Sequence, residues 1–126
     1  MGDEATLGEL RDRVAAFVAA REWETFHHPK DLALALSVEA SELLELFQWR
    51  SRHEIDRLLP ELKGRIAEEL ADVFIFGLSM ANALSIDLSQ AILDKMEENE
   101  ERFPTENFRG RAYGDAGDSR SGGSLS

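Results

Sequence analysis

Apolar side chains in this chain return chiefly every three or four residues, which constrains the fold more than any other feature. Leu7, Leu10, Val14, Phe17 and Val18 share one face of a helical period. Thr6 with Glu9 forms a capping-box pattern that starts this helix, and the pattern carries to about Glu22. The stretch "WETFHHPK" reads as a connection, and its Pro29 suits the first turn of a second helix, from about Lys30 to Trp49. Ser51 with Glu54 is a second capping box, opening a short helix expected to stop near Pro60. A long helix is predicted from Glu61 to about Leu84, with Gly64 a weak spot near its start. Asp87 with Gln90 caps a last helix from Leu88 to about Arg102, ended by Phe103-Pro104. No stretch alternates convincingly as a strand does. The expected fold class is all-α, a small antiparallel helical bundle.

The 126 residues are enough for one domain and too few for two with proper cores. That domain is expected over residues 1–110. From Gly110 on, "GRAYGDAGDSRSGGSLS" has little to bury, so residues 111–126 are expected to form a disordered tail. The chain has no cysteine, which excludes disulfides and thiolate metal sites and fits a reducing compartment. Its apolar runs are short and broken by charge, and "MGDEATLGELRDR" lacks the basic-then-apolar order of a signal peptide. A cytoplasmic protein, with no membrane partner, is the expectation. The net charge of −11, from 25 acidic against 14 basic residues, repels nucleic acid. It would repel a small anionic substrate as well, unless cations are recruited locally.

The acidic residues are not all spread over polar faces. Each helical residue turns by about 100°, so with Glu39 at zero, Glu42 falls near 300°, Ala35 near 320°, Leu46 near 340° and Trp49 near 280°. In "EELADVFIFGLSMA", with Glu69 at zero, Asp72 falls near 300°, Phe76 near 340° and Met80 near 20°. In both segments two acids three residues apart flank an apolar stripe. Carboxylates placed there lose hydration and repel one another. A hard divalent cation reverses that cost, because Mg²⁺ takes oxygen ligands and keeps waters to share with substrate phosphates. Antiparallel helices that each offer such a pair can bring all four groups to one point.

In this pattern the chain resembles the MazG-type all-α nucleoside triphosphate pyrophosphohydrolases, and among them the small dCTP pyrophosphatase branch. The family signature, E-x-x-E, a spacer, then E-x-x-D, is matched by Glu39-Ala-Ser-Glu42, 26 intervening residues, and Glu69-Leu-Ala-Asp72. The segments "WETFHHP", "ELLELFQW" and "DLSQAILDKMEENEERFP" are similar to the family's as well, so the resemblance runs from about Leu7 to Arg111. It implies Mg²⁺-dependent cleavage of an NTP or dNTP to monophosphate and pyrophosphate, with Mn²⁺ as a substitute metal. It also implies helical protomers that associate as dimers or tetramers. By the same resemblance Glu39, Glu42, Glu69 and Asp72 are the magnesium ligands and the catalytic set. Trp23, His27 and Trp49 match positions that enclose the base, Asn99 one that contacts the nucleotide, and Lys95 and Arg102 fall where the phosphates are approached. Two positions depart from the animal dCTP branch, which carries Tyr where this chain has Phe76 and His where it has Val14. The departures remove a hydroxyl and an imidazole from the site, which weakens the case for cytosine preference more than the case for hydrolysis.

Other residues admit plainer readings. Lys95, Asn99 and Arg102 lie within one quadrant of the last helix, where they can meet phosphates or simply suit the helix dipole at a solvated end. Trp23 and Trp49 can stack on a base or fill a core. His28 suits a cap or the surface, His27 is balanced between surface and a phosphate or sugar contact, and His53 reads as surface. Glu45 and Glu68 are spare acids, either of which could support a metal ligand, take the proton of an attacking water, or simply face solvent. The rival function is a helical interaction module without catalysis, since Leu34, Leu43, Leu44 and Phe47 give the second helix more than one apolar face. A di-iron bundle would want Glu-x-x-His pairs, and the two long helices have none.

Overall fold

The first three α-helices start at side chains that accept free backbone N–H groups. The computed structural model describes residues 4–111. Helix α1 spans Leu7–Ala20, and Thr6 and Glu9 cap it reciprocally. The Thr6 hydroxyl accepts from the Glu9 amide at 3.1 Å, and the Glu9 carboxylate accepts from the Thr6 amide at 2.9 Å. Helix α3, Arg52–Ala83, opens in the same way, with bonds of 3.1 and 3.0 Å between Ser51 and Glu54. Helix α2, Pro29–Glu45, has His28 as its cap, whose Nδ1 accepts from the Lys30 amide at 3.1 Å. Pro29 follows at the first helical position, where its missing N–H is of no consequence.

Three boundaries differ from the sequence reading. Pro60 does not divide two helices but lies inside the single 32-residue α3. It forfeits one bond, to the carbonyl of Asp56, on an exposed stretch of helix where water can serve that carbonyl. The second helix ends at Glu45 rather than Trp49, because the backbone tightens to three-residue bonds from Leu46 to Leu43 and from Phe47 to Leu44. The Arg50 guanidinium then donates to the Leu46 carbonyl. The connection before α2 contains a 3₁₀ turn, Trp23–Phe26, entered through Glu22 in the left-handed region at φ 52°.

The first of two compact units runs to Leu88. In it α3 packs chiefly on α2 and also against α1. Leu36 lies against Gly77 while Glu39 lies near Glu69 and Asp72, so α2 and α3 run antiparallel. Val18 of α1, Leu32 of α2, Leu46 beyond it, and Leu78 and Ala81 of α3 form the buried apolar core. The Asn82 side-chain amide donates to the Arg11 carbonyl at 3.2 Å and ties α3 to α1.

The second unit begins at Ser89. Its main helix, α4, spans Leu88–Arg102, as the sequence predicts, and a short α5, Thr105–Phe108, follows Pro104. Phe103 and Phe108 meet edge to face at 5.1 Å. The protein is all-α, and no strand occurs among the described residues. No single described helix is long and apolar enough to cross a membrane. The expected disordered tail, apart from Arg111, lies outside the described residues.

Candidate functional site

The antiparallel register of α2 and α3 sets the two acidic pairs opposite each other. One carboxylate oxygen each from Glu39, Glu69 and Asp72 lies within 4.8 Å of the other two, and all three side chains are half-buried. The Oε2 atoms of Glu39 and Glu69 are buried without a hydrogen-bond partner. Arg65 approaches Glu69 only loosely, at 3.9 Å, from one turn earlier in α3. Glu42 is exposed at the rim and stands outside the tight trio.

The electrostatics of this corner follow from its geometry. The Glu42 carboxyl is held above its ordinary value, first because its protonated form can hydrogen-bond to Glu39, then by the charge of Glu39 and by lost hydration. Glu69 is pushed in the same direction, first by burial and then by the charge of Glu42. Each effect opposes ionisation, so a cluster of charged carboxylates here needs an external positive partner. A hard divalent cation meets that need with all-oxygen ligands on one side and room for waters on the other. The orphaned oxygens and the donor set therefore fit such an ion.

Between α1, the connection and α3 is a cavity of about 640 Å³, within the size range of small-molecule pockets, whose wall on α3 begins at Ala71, the residue before Asp72. Val14 and Phe17 of α1, Trp23 and His27 of the connection, and Phe74 and Phe76 of α3 are among its walls. Phe17 and Trp23 meet edge to face at 5.8 Å. The Arg21 guanidinium lies 3.7 Å over the Phe17 ring and also donates to the Phe17 carbonyl at 3.0 Å. Left-handed Glu22 turns the chain between that stack and Trp23.

Of the residues singled out in the sequence, Glu39, Glu69 and Asp72 are brought together, with Glu42 beside them, and Trp23, His27 and Phe76 share the cavity. Trp49 is not among the cavity's walls. It is 87% exposed, beyond the end of α2, so its expected position on the helical wheel does not apply. Lys95, Asn99 and Arg102 belong to the second unit. There Lys95 pairs with Glu98 at 3.0 Å, Asn99 is half-buried, and the Arg102 guanidinium lies 5.0 Å over the Phe103 ring. His28 caps α2, while His53, Glu45 and Glu68 are exposed. Sequence reasoning missed two neighbours of the site. Arg65 could have been found from its i,i+4 spacing to Glu69. Ser79 lines the cavity as the one polar member of the buried core, and its sequence neighbours give no sign of that.

Residues 34–115 match the model of the MazG-like family. Over 111 residues the chain is 42% identical to dCTP pyrophosphatase 1 of Mus musculus, a match covering 86% of this chain and 65% of that protein. Over 103 residues it is 42% identical to dCTP pyrophosphatase 1 of Homo sapiens, covering 80% of this chain and 61% of that one. The chain thus spans less than two thirds of the length of these curated relatives. The crystal structure of a pyrophosphatase from Archaeoglobus fulgidus superposes with a TM-score of 0.71 at 41% identity, covering 78% of this chain and 92% of that one.

Proposed function

The chain belongs to the MazG-like family, and from that premise we propose that it is a metal-dependent nucleoside triphosphate pyrophosphohydrolase. It cleaves a (d)NTP to the monophosphate and pyrophosphate and so clears nucleotides from the pool. One observation carries the reading: helices α2 and α3 converge three half-buried carboxylates, and the inner oxygens of two of them, Glu39 and Glu69, have no hydrogen-bond partner. Glu39, Glu69 and Asp72, with Glu42 at the rim, are assigned as ligands of Mg²⁺, for which Mn²⁺ would substitute. Held there, such an ion would offset triphosphate charge and make water a better nucleophile.

The chain's own residues do the rest. The four carboxylates fix where the phosphates stop, and Trp23, His27 and Phe76 enclose the base in the aromatic cavity. Glu45 and Glu68, exposed acids next in sequence to the quartet, are the two candidates to accept the water's proton. Trp49, Lys95, Asn99 and Arg102 keep their substrate-binding assignment from the family resemblance alone. The relatives are named for dCTP, so dCTP and pyrimidine dNTPs with modified bases are the first substrates to assay. Cytoplasm, where nucleotides and free Mg²⁺ occur together, is the proposed location. The net charge of −11 argues against a nucleic-acid partner.

Self-association into a dimer or tetramer is part of the proposal. Leu34, Leu44 and Phe74 are large apolar side chains that the protomer leaves exposed, and a second copy would cover them. These same side chains favour the second reading, a non-catalytic interaction module. A pyrophosphate-release assay over canonical, oxidised and methylated dNTPs with Mg²⁺ separates the two. Release from at least one nucleotide, dependent on the metal, is expected. No release from any of them would leave the interaction module.

A further inference from the structure

Helix α3 carries a polar side chain into the buried apolar core. Ser79 is 4% exposed, alone of its kind among the buried described residues. It lines the aromatic cavity and also an adjoining one of about 450 Å³, whose walls include Glu24, His27 and Asn82. A helical serine commonly turns its hydroxyl back to the carbonyl four residues earlier. Ser41 does so, donating to Ser37 at 3.0 Å, but the Ser79 hydroxyl makes no hydrogen bond to another described residue. The Ser79 oxygen is not sealed away as the inner oxygens of Glu39 and Glu69 are, so it opens to the cavity it lines, where a ligand atom can replace water on it.

Its place on α3 says which ligand atom. Ser79 follows Phe76 by three residues and Asp72 by seven, so the three share one face of the helix. The rise from Asp72 to Ser79 is about 10 Å. That is comparable to the reach of an extended nucleoside from its 5′ oxygen to the far edge of its base. With phosphates stopped at the acidic corner and the base among Trp23, His27 and Phe76, the base edge arrives at Ser79.

We infer that Ser79 is a specificity-determining residue, its hydroxyl bonding a polar atom on the edge of the nucleobase. The inference rests on the hydrolase reading and adds to it the side chain that reads the base. A hydroxyl both donates and accepts, so it can pair with a base carbonyl, ring nitrogen or amino group. Aromatic walls alone hold any base with little preference. The discrimination this site achieves therefore depends on its few polar groups, and Ser79 is the most deeply buried of them.

The test compares wild type with Ser79→Ala and Ser79→Thr across dCTP, dTTP, dUTP, dATP and dGTP. Alanine favours the helix and leaves no polar group behind, so Ser79→Ala should keep its melting temperature. Its kcat/KM for the preferred nucleotide should fall about tenfold. The fall should come through KM, and the preference over the other bases should shrink in proportion, whereas Ser79→Thr retains both. An unchanged base preference in Ser79→Ala overturns the inference, as does an equal loss of kcat on every nucleotide. If wild type releases no pyrophosphate at all, the hydrolase reading fails, and calorimetric titration with the nucleoside monophosphates still reads Ser79. Preferential binding of one base that Ser79→Ala weakens about tenfold then supports the assignment. Equal affinities, or no binding by wild type, overturn it.

Discussion

At the starts of α1 and α3, Glu9 and Glu54 each accept a backbone N–H at 2.9 and 3.0 Å. Midway along α2 and α3, Glu39 and Glu69 each bury an oxygen that accepts nothing. The same side chain thus works in opposite senses in two regions. Hydrogen bonds from the Thr6 and Ser51 backbones draw the capping carboxyls below their ordinary value, so ionisation favours the fold. Burial and neighbouring charge push Glu69 above it, so ionisation opposes the fold. A helix cap completes its electrostatics within the chain, whereas the corner between α2 and α3 leaves them to be completed from outside. This asymmetry is a better guide to function than acidity alone.

The sharpest way to break the comparison is to remove charge at the corner. Glu39→Gln or Asp72→Asn should lower pyrophosphate release at saturating Mg²⁺ by at least about a hundredfold, the scale on which even outer partners of a metal site act. Circular dichroism should show the helices intact, and the metal-free melting temperature should be equal or higher, because a repelling charge is gone. Full turnover in both variants would sink the ligand assignment.

A metal titration followed by thermal melting comes next. At a hundredfold excess over Kd, a ligand that binds only the folded state adds about 2.7 kcal/mol. Wild type and Thr6→Ala should both show the upward shift, and a Glu39→Gln/Glu69→Gln double variant should not. A shift of equal size in that double variant would mean that the ion binds elsewhere.

The caps should behave the other way round. Thr6→Ala or Ser51→Ala should cost about 1 kcal/mol in urea unfolding and leave kcat/KM unchanged. Loss of turnover in step with stability would show that the two regions are not separable.

The smallest effect is in the pH profile. Glu42 and Glu69 bind protons more tightly in the folded chain than at their ordinary value of 4.5. Their stabilisation is fully present below that value and is lost as pH rises through the folded values. Glu9 and Glu54 contribute stability that is present above 4.5 and lost as pH falls through their lowered values. In EDTA, wild type minus Glu69→Gln melting profiles should isolate the first limb, and wild type minus Glu54→Gln the second. Saturating Mg²⁺ should flatten only the first, and two limbs of the same sign would remove the distinction.

The parts of this molecule that local rules determine were readable from the sequence. Both capping boxes, Pro29 at the start of α2, the extent of α4 and the two acidic pairs follow from spacing alone. The pairs converge because their helices run antiparallel, a relation that the short connection from Glu45 to Arg52 favours. The errors fell where one signal was read without its competitor. Pro60 looked like a stop, but one lost bond is outweighed by the apolar face that continues through Leu62 and Ile66 into the core. Leu46 keeps a helical backbone just past the end of α2, so the periodicity was carried on to Trp49 although the helix ends at Glu45. The turns at Trp23–Phe26 and Thr105–Phe108 have four residues each, too few to show a period. Ser79 was invisible for a different reason: its burial comes from α1 and the connection closing over α3, which no window on its own helix records.

Asp72, Phe76 and Ser79 all stand on one uninterrupted rod, α3. Inserting or deleting a single residue between Asp72 and Phe76 would swing everything beyond it by about 100° and dismantle the alignment of corner and cavity together. A lineage carrying this helix can retune its chemistry by exchanging side chains, but it cannot edit the length of that interval. The four-residue step from Asp72 to Phe76 is inherited whole or lost.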